Sequence, residues 1–385
     1  MLSRVHQFTW WVAVLAAVIS FSCSIHSALG LDPSDPSSSS VPGLHSCSSA
    51  AMSVPSLMDA AVRLVPRLSK GLHKGQAGRI AIVGGSFEYT GAPFYAAMSS
   101  LKVGADLSFV LCEESAAVPI KSYTPEIIVV PALSDAALHR ALDLLPRVHV
   151  LVIGPGLGRD EGTLALVERI IEEAKSKQMP MVLDGDALFL LTKKPQLVHG
   201  YERALLTPNV VEFARLEKAL FGDNEEAADM SELKPEAGSN AELGRWMEID
   251  DSDTSSPLWR AVRLAREMGN VTVMQKGEVD VITDGKRAAI STAEGSNRRC
   301  GGQGDVLAGS SGVFLHWAFH GANNDGPGLE GAIPAAFAAS VLTRTANQLA
   351  FQEHHRSMTT PDIIQHLGIA FDQLFDQEQT ADSSL

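Results

Sequence analysis

Val148-His149-Val150-Leu151-Val152-Ile153-Gly154-Pro155-Gly156-Leu157-Gly158 is the stretch that decides the fold. A short, nearly unbroken apolar run closed by a turn signal is the pattern of a strand buried on both faces. A helix follows, with Leu164, Val167, Ile171 and Ala174 on one face. Strand, tight turn and helix in that order make half of a βαβ unit. The turn lacks the third glycine of a dinucleotide fingerprint, because position 159 is Arg. A loop that approaches a substrate edge fits it better.

The same pattern recurs on either side. Ile80–Val83 reads as a strand ending in Gly84-Gly85-Ser86, with Thr90 capping a helix through about Val103. Asp106–Cys112 and Ile127–Val130 read as strands, the latter followed by a helix from about Ser134. Met181–Leu183 ends in Asp184-Gly185-Asp186, Ala204–Leu206 in Thr207-Pro208-Asn209, and Val271–Met274 precedes Gln275-Lys276-Gly277. Val279–Thr283, Asp284-Gly285 and Arg287–Ile290 read as a hairpin with an Asp-Gly turn. Helices are expected at about Asp305–His316, at Pro334–Phe351, and from Thr360-Pro361, with Thr360 as N-cap. The fold class is α/β: three layers, a mostly parallel central sheet and an added hairpin. In such sheets ligands bind outside the carboxyl ends of the strands, and the distinctive motifs fall there.

The 385-residue chain is 45% hydrophobic and 20% charged, as a globular domain is. A net charge of -14 argues against a nucleic-acid binder. Much of it lies in residues 223–257, with eleven acids against two bases, so 222–257 reads as an acidic surface insertion. Residues 1–30 read as a targeting leader: Arg4, then an apolar run from Trp10 to Phe21, then small residues near Gly30. The run is short for a membrane span, so no stable membrane association is expected once the leader is removed. Residues 31–55, rich in Ser and Pro, read as a disordered linker, 56–375 as the catalytic domain, and 376–385 as a tail. Of the four cysteines, only Cys112 and Cys300 lie in the body, which suits a reducing compartment. Organelle import (mitochondrion or chloroplast) or a cytosolic form started at Met52 or Met58 reconciles that body with a secretory-like leader.

Gly295-Ser296-Asn297-Arg298-Arg299-Cys300-Gly301-Gly302-Gln303-Gly304-Asp305 opens the first of the late helices. Glycines let backbone N–H groups approach a ligand, and a helix N-terminus favours an anion. Asp305 is then either an N-cap or a functional carboxylate. Asn209-Val210-Val211-Glu212 opens another helix. Here Asn209 and Glu212 make a capping box, or Glu212 holds a Mg²⁺-bound water beside nucleotide phosphates. Lys276 beside Gly277 reaches a phosphate as a point charge or simply turns the chain. Asp184 and Asp186 order water or metal, or form a turn.

Taken together and in order, an Asn-x-x-Glu after one strand and a Gly-x-Gly-Asp opening a late helix resemble the ribokinase-like superfamily. Glu88–Pro93, Gly154–Asp160, Thr207–Phe213, Gln275–Glu278 and Arg298–Asp305 narrow the resemblance to the eukaryotic ATP-dependent (S)-NAD(P)H-hydrate dehydratases, over about residues 56–375. The resemblance implies repair of hydrated NADH and NADPH by ATP-dependent dehydration, a lyase reaction run on a kinase-like site with Mg²⁺. It makes Asp305 the general base. It assigns ATP to Lys276, Gly277, Glu278, Val279 and Asp280, and to Gly295, Ser296, Asn297, Arg298, Arg299, Cys300, Gly301, Gly302, Gln303 and Gly304. It assigns the hydrate to Gly156, Asn209, Val210, Val211, Glu212, Phe213, Ala214, Arg215 and Asp305. Implied partners are these small molecules, a second copy of the chain, and a separate epimerase acting on the same metabolite. Two other readings stand beside it: a ribokinase-like kinase of a small alcohol such as a vitamin precursor, and a nucleotide-binding protein without catalysis. Retention of Asp305 speaks against the last.

Tagged forms starting at Met1 and at Met52 are expected to reach different compartments under microscopy. Identical localisation would remove the targeting role of residues 1–30.

Overall fold

The computed structural model describes residues 56–68, 73–222, 233, 243–321 and 331–375. The expected leader, linker and C-terminal tail lie outside them. Ten strands form one sheet in the order β3-β2-β1-β4-β5-β6-β8-β9-β10-β7. They are β1 Arg79–Val83, β2 Leu107–Cys112, β3 Ile127–Pro131, β4 Val150–Ile153, β5 Met181–Leu183, β6 Ala204–Leu206, β7 Gly244–Met247, β8 Thr272–Gln275, β9 Asp280–Thr283 and β10 Ala288–Ser291. From β3 to β8 every pairing is parallel. The hairpin β9–β10 is antiparallel to β8, and β7 closes the edge against β10.

Eleven α-helices among the described residues cover the sheet. On one face lie α1 Leu57–Leu64, α2 Gly91–Val103, α3 Glu114–Tyr123, α9 Gln303–His320, α10 Ile333–His354 and α11 Thr360–Phe375. On the other lie α4 Leu138–Leu144, α5 Glu161–Ser176, α6 Asp186–Lys193, α7 Val210–Phe221 and α8 Pro257–Glu267. Alternation along each strand supplies both cores: Val150 and Val152 join the first, Leu151 and Ile153 the second. That is why β4 is apolar at every position. Among the described residues no helix is long and apolar enough to cross a membrane.

The chain runs β1, β2, β3 outward in one direction, then β4, β5, β6 in the other, so the strand order reverses between β1 and β4. The loops after these two strands are fastened together: the Gly85 amide donates to the Gly156 carbonyl at 3.0 Å, and Ser86 Oγ donates to the same oxygen. Gly154 (φ 121°) sits so close to the next loop that a Cβ would lie 1.8 Å from the Asp184 carbonyl oxygen.

Several sequence expectations are corrected. The helix after β3 begins at Leu138 rather than Ser134, because residues from Ser134 form a turn, with the Ala137 amide donating to the Ser134 carbonyl. The sequence pattern missed four helices, α1 at the start of the body among them. In α3 an internal proline, Pro119, masks the helix; α6 is short; and α8 lies at the end of the acidic stretch. Thr90 stands at the start of α2, but its side chain does not cap; its hydroxyl pairs with the Tyr123 hydroxyl. The helix α11 already includes Thr360, and Thr359 bonds to Asp362 at its opening. Asp305 is not an N-cap: α9 starts two residues earlier, with Gly302 in the cap position. The acidic stretch 222–257 is not one insertion. Gly222 caps α7, Gly244–Met247 is the edge strand β7, and Ser256 caps α8. An edge strand needs only backbone pairing on one side, so β7 carries no long apolar run. Apart from Leu233, residues 223–242 lie outside the described residues.

Gly154→Ala is expected to destabilise the domain by about 3 kcal/mol, through the clash with the Asp184 carbonyl and the positive φ. Urea unfolding of the variant against the parent measures it.

Candidate active site

Four strands of the sheet deliver polar side chains or close turns to one end. Asp184 follows β5, Asn209 follows β6, Lys276 follows β8, and the turn at Gly154–Gly158 follows β4. Asp184 is 5% exposed, which a carboxylate tolerates only with partners. It has two at one oxygen: Thr207 Oγ1 donates at 2.8 Å and Lys276 Nζ at 2.6 Å. The Lys276 amide donates to the Pro208 carbonyl, which fixes where the ammonium emerges. Glu212 Oε2 lies 4.0 Å from the same ammonium. Burial alone would lower the pKa of Lys276, but Asp184 and Glu212 outweigh it and hold it above its ordinary value.

Glu212 also closes a complete capping box on α7. Asn209 Oδ1 accepts from the amides of Val211 and Glu212, and Glu212 Oε2 accepts from the Asn209 amide at 2.9 Å. Of the two readings left open by the sequence, the capping box is present: Oε2 serves the cap, and the carboxylate also faces Lys276. Burial, and then Asp184, raise its pKa against the pull of Lys276.

The glycine-rich loop lies over this cluster. A Cβ on Gly304 would stand 3.6 Å from Lys276 Nζ and 3.7 Å from Asp184 Oδ2. Gly302 has φ 98°, a conformation that side chains avoid, and its Cα is flanked by the Tyr95 ring and Thr360 Oγ1. Thr360 donates to the Gly301 carbonyl, which ties the loop to the start of α11. The first amides of α9 lack helical partners and carry the positive end of its dipole. Asp305 is in this first turn. Burial pushes its pKa up to about 7, with Asp184 and Glu212 adding to the rise and Lys276 opposing it. Burial and like-charge neighbours of this kind are a general means of tuning a carboxyl to exchange a proton near neutral pH.

A cleft of about 1370 Å³ opens beside the cluster. One wall carries Asn209, Val210, Val211, Glu212 and Arg215 from α7. Lys276, Gly277, Glu278, Val279 and Asp280 form another side, and Gly295, Ser296, Asn297, Arg299, Gln303 and Gly304 a third. The two groups of residues expected to hold nucleotide and hydrate thus share one space. Not all members line it: Asp305 is not among its lining residues and sits in the first turn of α9, next to Gly304. Phe213 is buried in the core on the far side of the sheet, and Ala214 is exposed elsewhere on α7. Gly156 belongs to the turn after β4, where its Cα lies against Tyr89 and Pro93. Arg298, Cys300, Gly301 and Gly302 form the back of the loop: Gln303 Nε2 donates to the Arg298 carbonyl and to Cys300 Sγ. Asp280 is 2% exposed, with its oxygens taken by Arg344, Ser340 and the Gly277 amide. Asp186 turns away from the cluster to the Gly158 amide and Arg159.

Sequence reasoning missed one wall altogether. Ser340, Thr343, Arg344 and Asn347 line the cleft from α10. Their signal was there: four polar residues at helical spacing on a helix whose first three turns are buried and apolar but for Ser340. Tyr95, whose ring packs on Gly302, was also missed. Among the described residues no group of three His, Cys, Asp or Glu side chains forms a metal site.

A family model described as NAD(P)H-hydrate dehydratase matches residues 80–368. The ATP-dependent (S)-NAD(P)H-hydrate dehydratase of Homo sapiens is 47% identical over 314 residues, 81% of this chain and 83% of the relative. The chain belongs to the NAD(P)H-hydrate dehydratase family. Its relative of the same name in Rattus norvegicus is 42% identical over 370 residues, 94% of this chain and 96% of the other. Among solved structures, a ribokinase-like superfamily protein from Enterococcus faecalis superposes with a TM-score of 0.63 at 20% identity, covering 82% of this chain and 94% of that one. The ADP/ATP-dependent NAD(P)H-hydrate dehydratase of Bacillus subtilis, co-crystallised with ATP/Mg²⁺, gives 0.59 at 17% identity, covering 84% and 100%. These likenesses establish the fold as ribokinase-like, with β7 and the β9–β10 hairpin as its antiparallel edge.

Lys276→Met removes the cation that opposes the rise at Asp305. The acidic limb of the pH–rate profile is expected to move to higher pH, with turnover reduced; an unmoved limb would separate Lys276 from the titration of Asp305.

Proposed function

We propose that this member of the dehydratase family repairs the S form of hydrated NADH and NADPH, using ATP and releasing ADP and phosphate. The observation that carries the reading is Asp305 itself: a carboxyl held near pH 7 in the first turn of α9, beside Lys276 and the glycine-rich loop. The family and its 47% identical relative supply the substrate.

The chemistry follows from the leaving group. Hydroxide leaves a ring carbon poorly, and phosphate leaves well. Asp305 as carboxylate takes the proton of the ring hydroxyl as that oxygen attacks the γ-phosphorus. The bond to the ADP oxygen breaks in the same displacement. Lys276 and the amides of Gln303 and Gly304 face the charge that develops on the transferring group. As the C–O bond breaks, phosphate leaves with its electron pair, the neighbouring ring carbon gives up its proton to the departing phosphate or to water, and the C–H electrons form the double bond of the reduced nicotinamide.

Mg²⁺ would be held mainly by ATP phosphates and water, an arrangement that needs few protein carboxylates. Glu212 Oε2 is committed to its cap, which leaves Oε1 to accept from a metal-bound water. When bound, the ion neutralises charge on the β- and γ-phosphates. A separate epimerase converting the R hydrate would feed this site. Kinase action on a small alcohol would use the same base, and stops at the phosphate ester.

Asp305→Asn is expected to lower the ATP-dependent gain in absorbance near ~340 nm by about a thousandfold or more, while ATP still binds. The parent rate is expected to fall as pH drops through about 7, where Asp305 gains its proton. A phosphorylated product that accumulates without elimination would identify a kinase instead.

A further inference from the structure

The geometry points to Arg344 as the positioning residue for the nucleotide half of the cleft, acting through main-chain carbonyls and not by touching phosphate. A guanidinium has five N–H donors, and here all five are used. Nε donates to Asp280 Oδ2 at 3.1 Å. One terminal nitrogen donates to the carbonyls of Glu278 at 3.1 Å and Ala293 at 3.2 Å. The other donates to the Gly277 carbonyl at 2.9 Å and to Asp280 Oδ1 at 2.5 Å. No donor remains for a phosphate, although an arginine in a nucleotide cleft would ordinarily be assigned to one.

What the five bonds hold is two separate rims. Gly277, Glu278 and Asp280 belong to the turn between β8 and β9, next to Lys276; Ala293 follows β10. Both rims line the cleft. In a trans peptide the carbonyl and the next N–H point in opposite directions. Drawing the carbonyls of Gly277, Glu278 and Ala293 onto Arg344 therefore fixes the orientation of those three peptide planes, and with it the shape of both rims. Three residues along the same face of α10, Asn347 Oδ1 accepts from the Ser296 amide at 2.6 Å and fixes the second rim further on. Asp280 is locked in turn, because Ser340 Oγ donates to its Oδ2 at 2.7 Å. One helix face thus sets the separation of the two rims.

This assignment rests on the reading of the cleft as an ATP site, so its primary measurement is binding and not turnover. MgATP titrations on the full chain would compare the parent with Arg344→Lys and with the double variant Arg344→Met/Asp280→Asn. The lysine keeps a charge for Asp280 but cannot reach all three carbonyls; the double variant leaves no buried charge unpaired, which protects folding. Both are expected to weaken MgATP by about tenfold or more, while the KM for the hydrate stays within about twofold. Thermal melts report the fold separately. Lowered melting with MgATP affinity within about twofold of the parent, in either variant, would make Arg344 structural only and overturn the assignment. Failure of the parent to bind MgATP would overturn it too. A parent that binds MgATP but leaves the hydrate unchanged would sink the dehydratase reading, and the titrations would still decide Arg344.

Discussion

The ion pair between Lys276 and Asp184, 2.6 Å long and largely buried, is the contact on which the site depends. Burying either charge alone would cost several kcal/mol, so neither side chain keeps its position without the other. The pair joins the end of β5 to the end of β8, with β6 between them, and so fixes three strand ends at once. Glu212 and Asp305 then gather around the same ammonium. Burial raises the Asp305 pKa most, and the carboxylates of Asp184 and Glu212 add to the rise while Lys276 opposes it, which brings it to about 7. Burial beside like charge thus readies this carboxyl to exchange a proton near neutral pH.

Each part of the site draws on a different property of the backbone. The parallel sheet lines up its carboxyl ends, so short loops from distant parts of the sequence meet without long excursions. Helix α9 provides amides and a dipole. Helix α7 spends its capping box on orienting Glu212. The cation is not repelled by the dipole of α9 because it enters from a strand end and is already paired. What remains open is the space above Gly304, bounded by carbonyls and amides on the side of β9 and β10 and by the exposed Val210 and Val211 on the other.

Much of this was legible in the sequence for physical reasons. A parallel strand buried on both faces must be apolar throughout, so β1, β4 and β5 announce themselves; a Gly-rich turn before a helix does likewise. Asn209 and Glu212 could be paired from their spacing alone. Where reading failed, local signals were ambiguous. Asp305 resembled an N-cap because Asp in a first turn and Asp at a cap look alike in sequence; only the φ of Gly302 and the start of α9 at Gln303 separate them. Pro119 hid α3, since proline in a helix interior is unfavourable though tolerated here. The wall formed by Ser340, Arg344 and Asn347 was invisible for another reason. Besides the Asp280 and Ser291 side chains, its partners are backbone carbonyls and an amide some fifty to seventy positions away, and backbone groups leave no trace in a residue-type pattern.

The edge strand β7 carries a consequence for the order in which this protein assembles. Gly244 pairs with Ser291, and Met247 with Ala288, so β7 is made before either strand of the hairpin it joins. On a ribosome it emerges with nothing to pair with, and must wait while α8, β8 and β9 are synthesised. Gly244 also admits the Phe337 ring and the Ile290 carbonyl against its Cα, so the waiting strand is finally seated by a helix that comes later still. The acidic residues preceding and following β7 give the unpaired segment a charge that discourages association between nascent chains. The charge that flanks β7 in the sequence thus accompanies a strand whose partner, β10, is made after it.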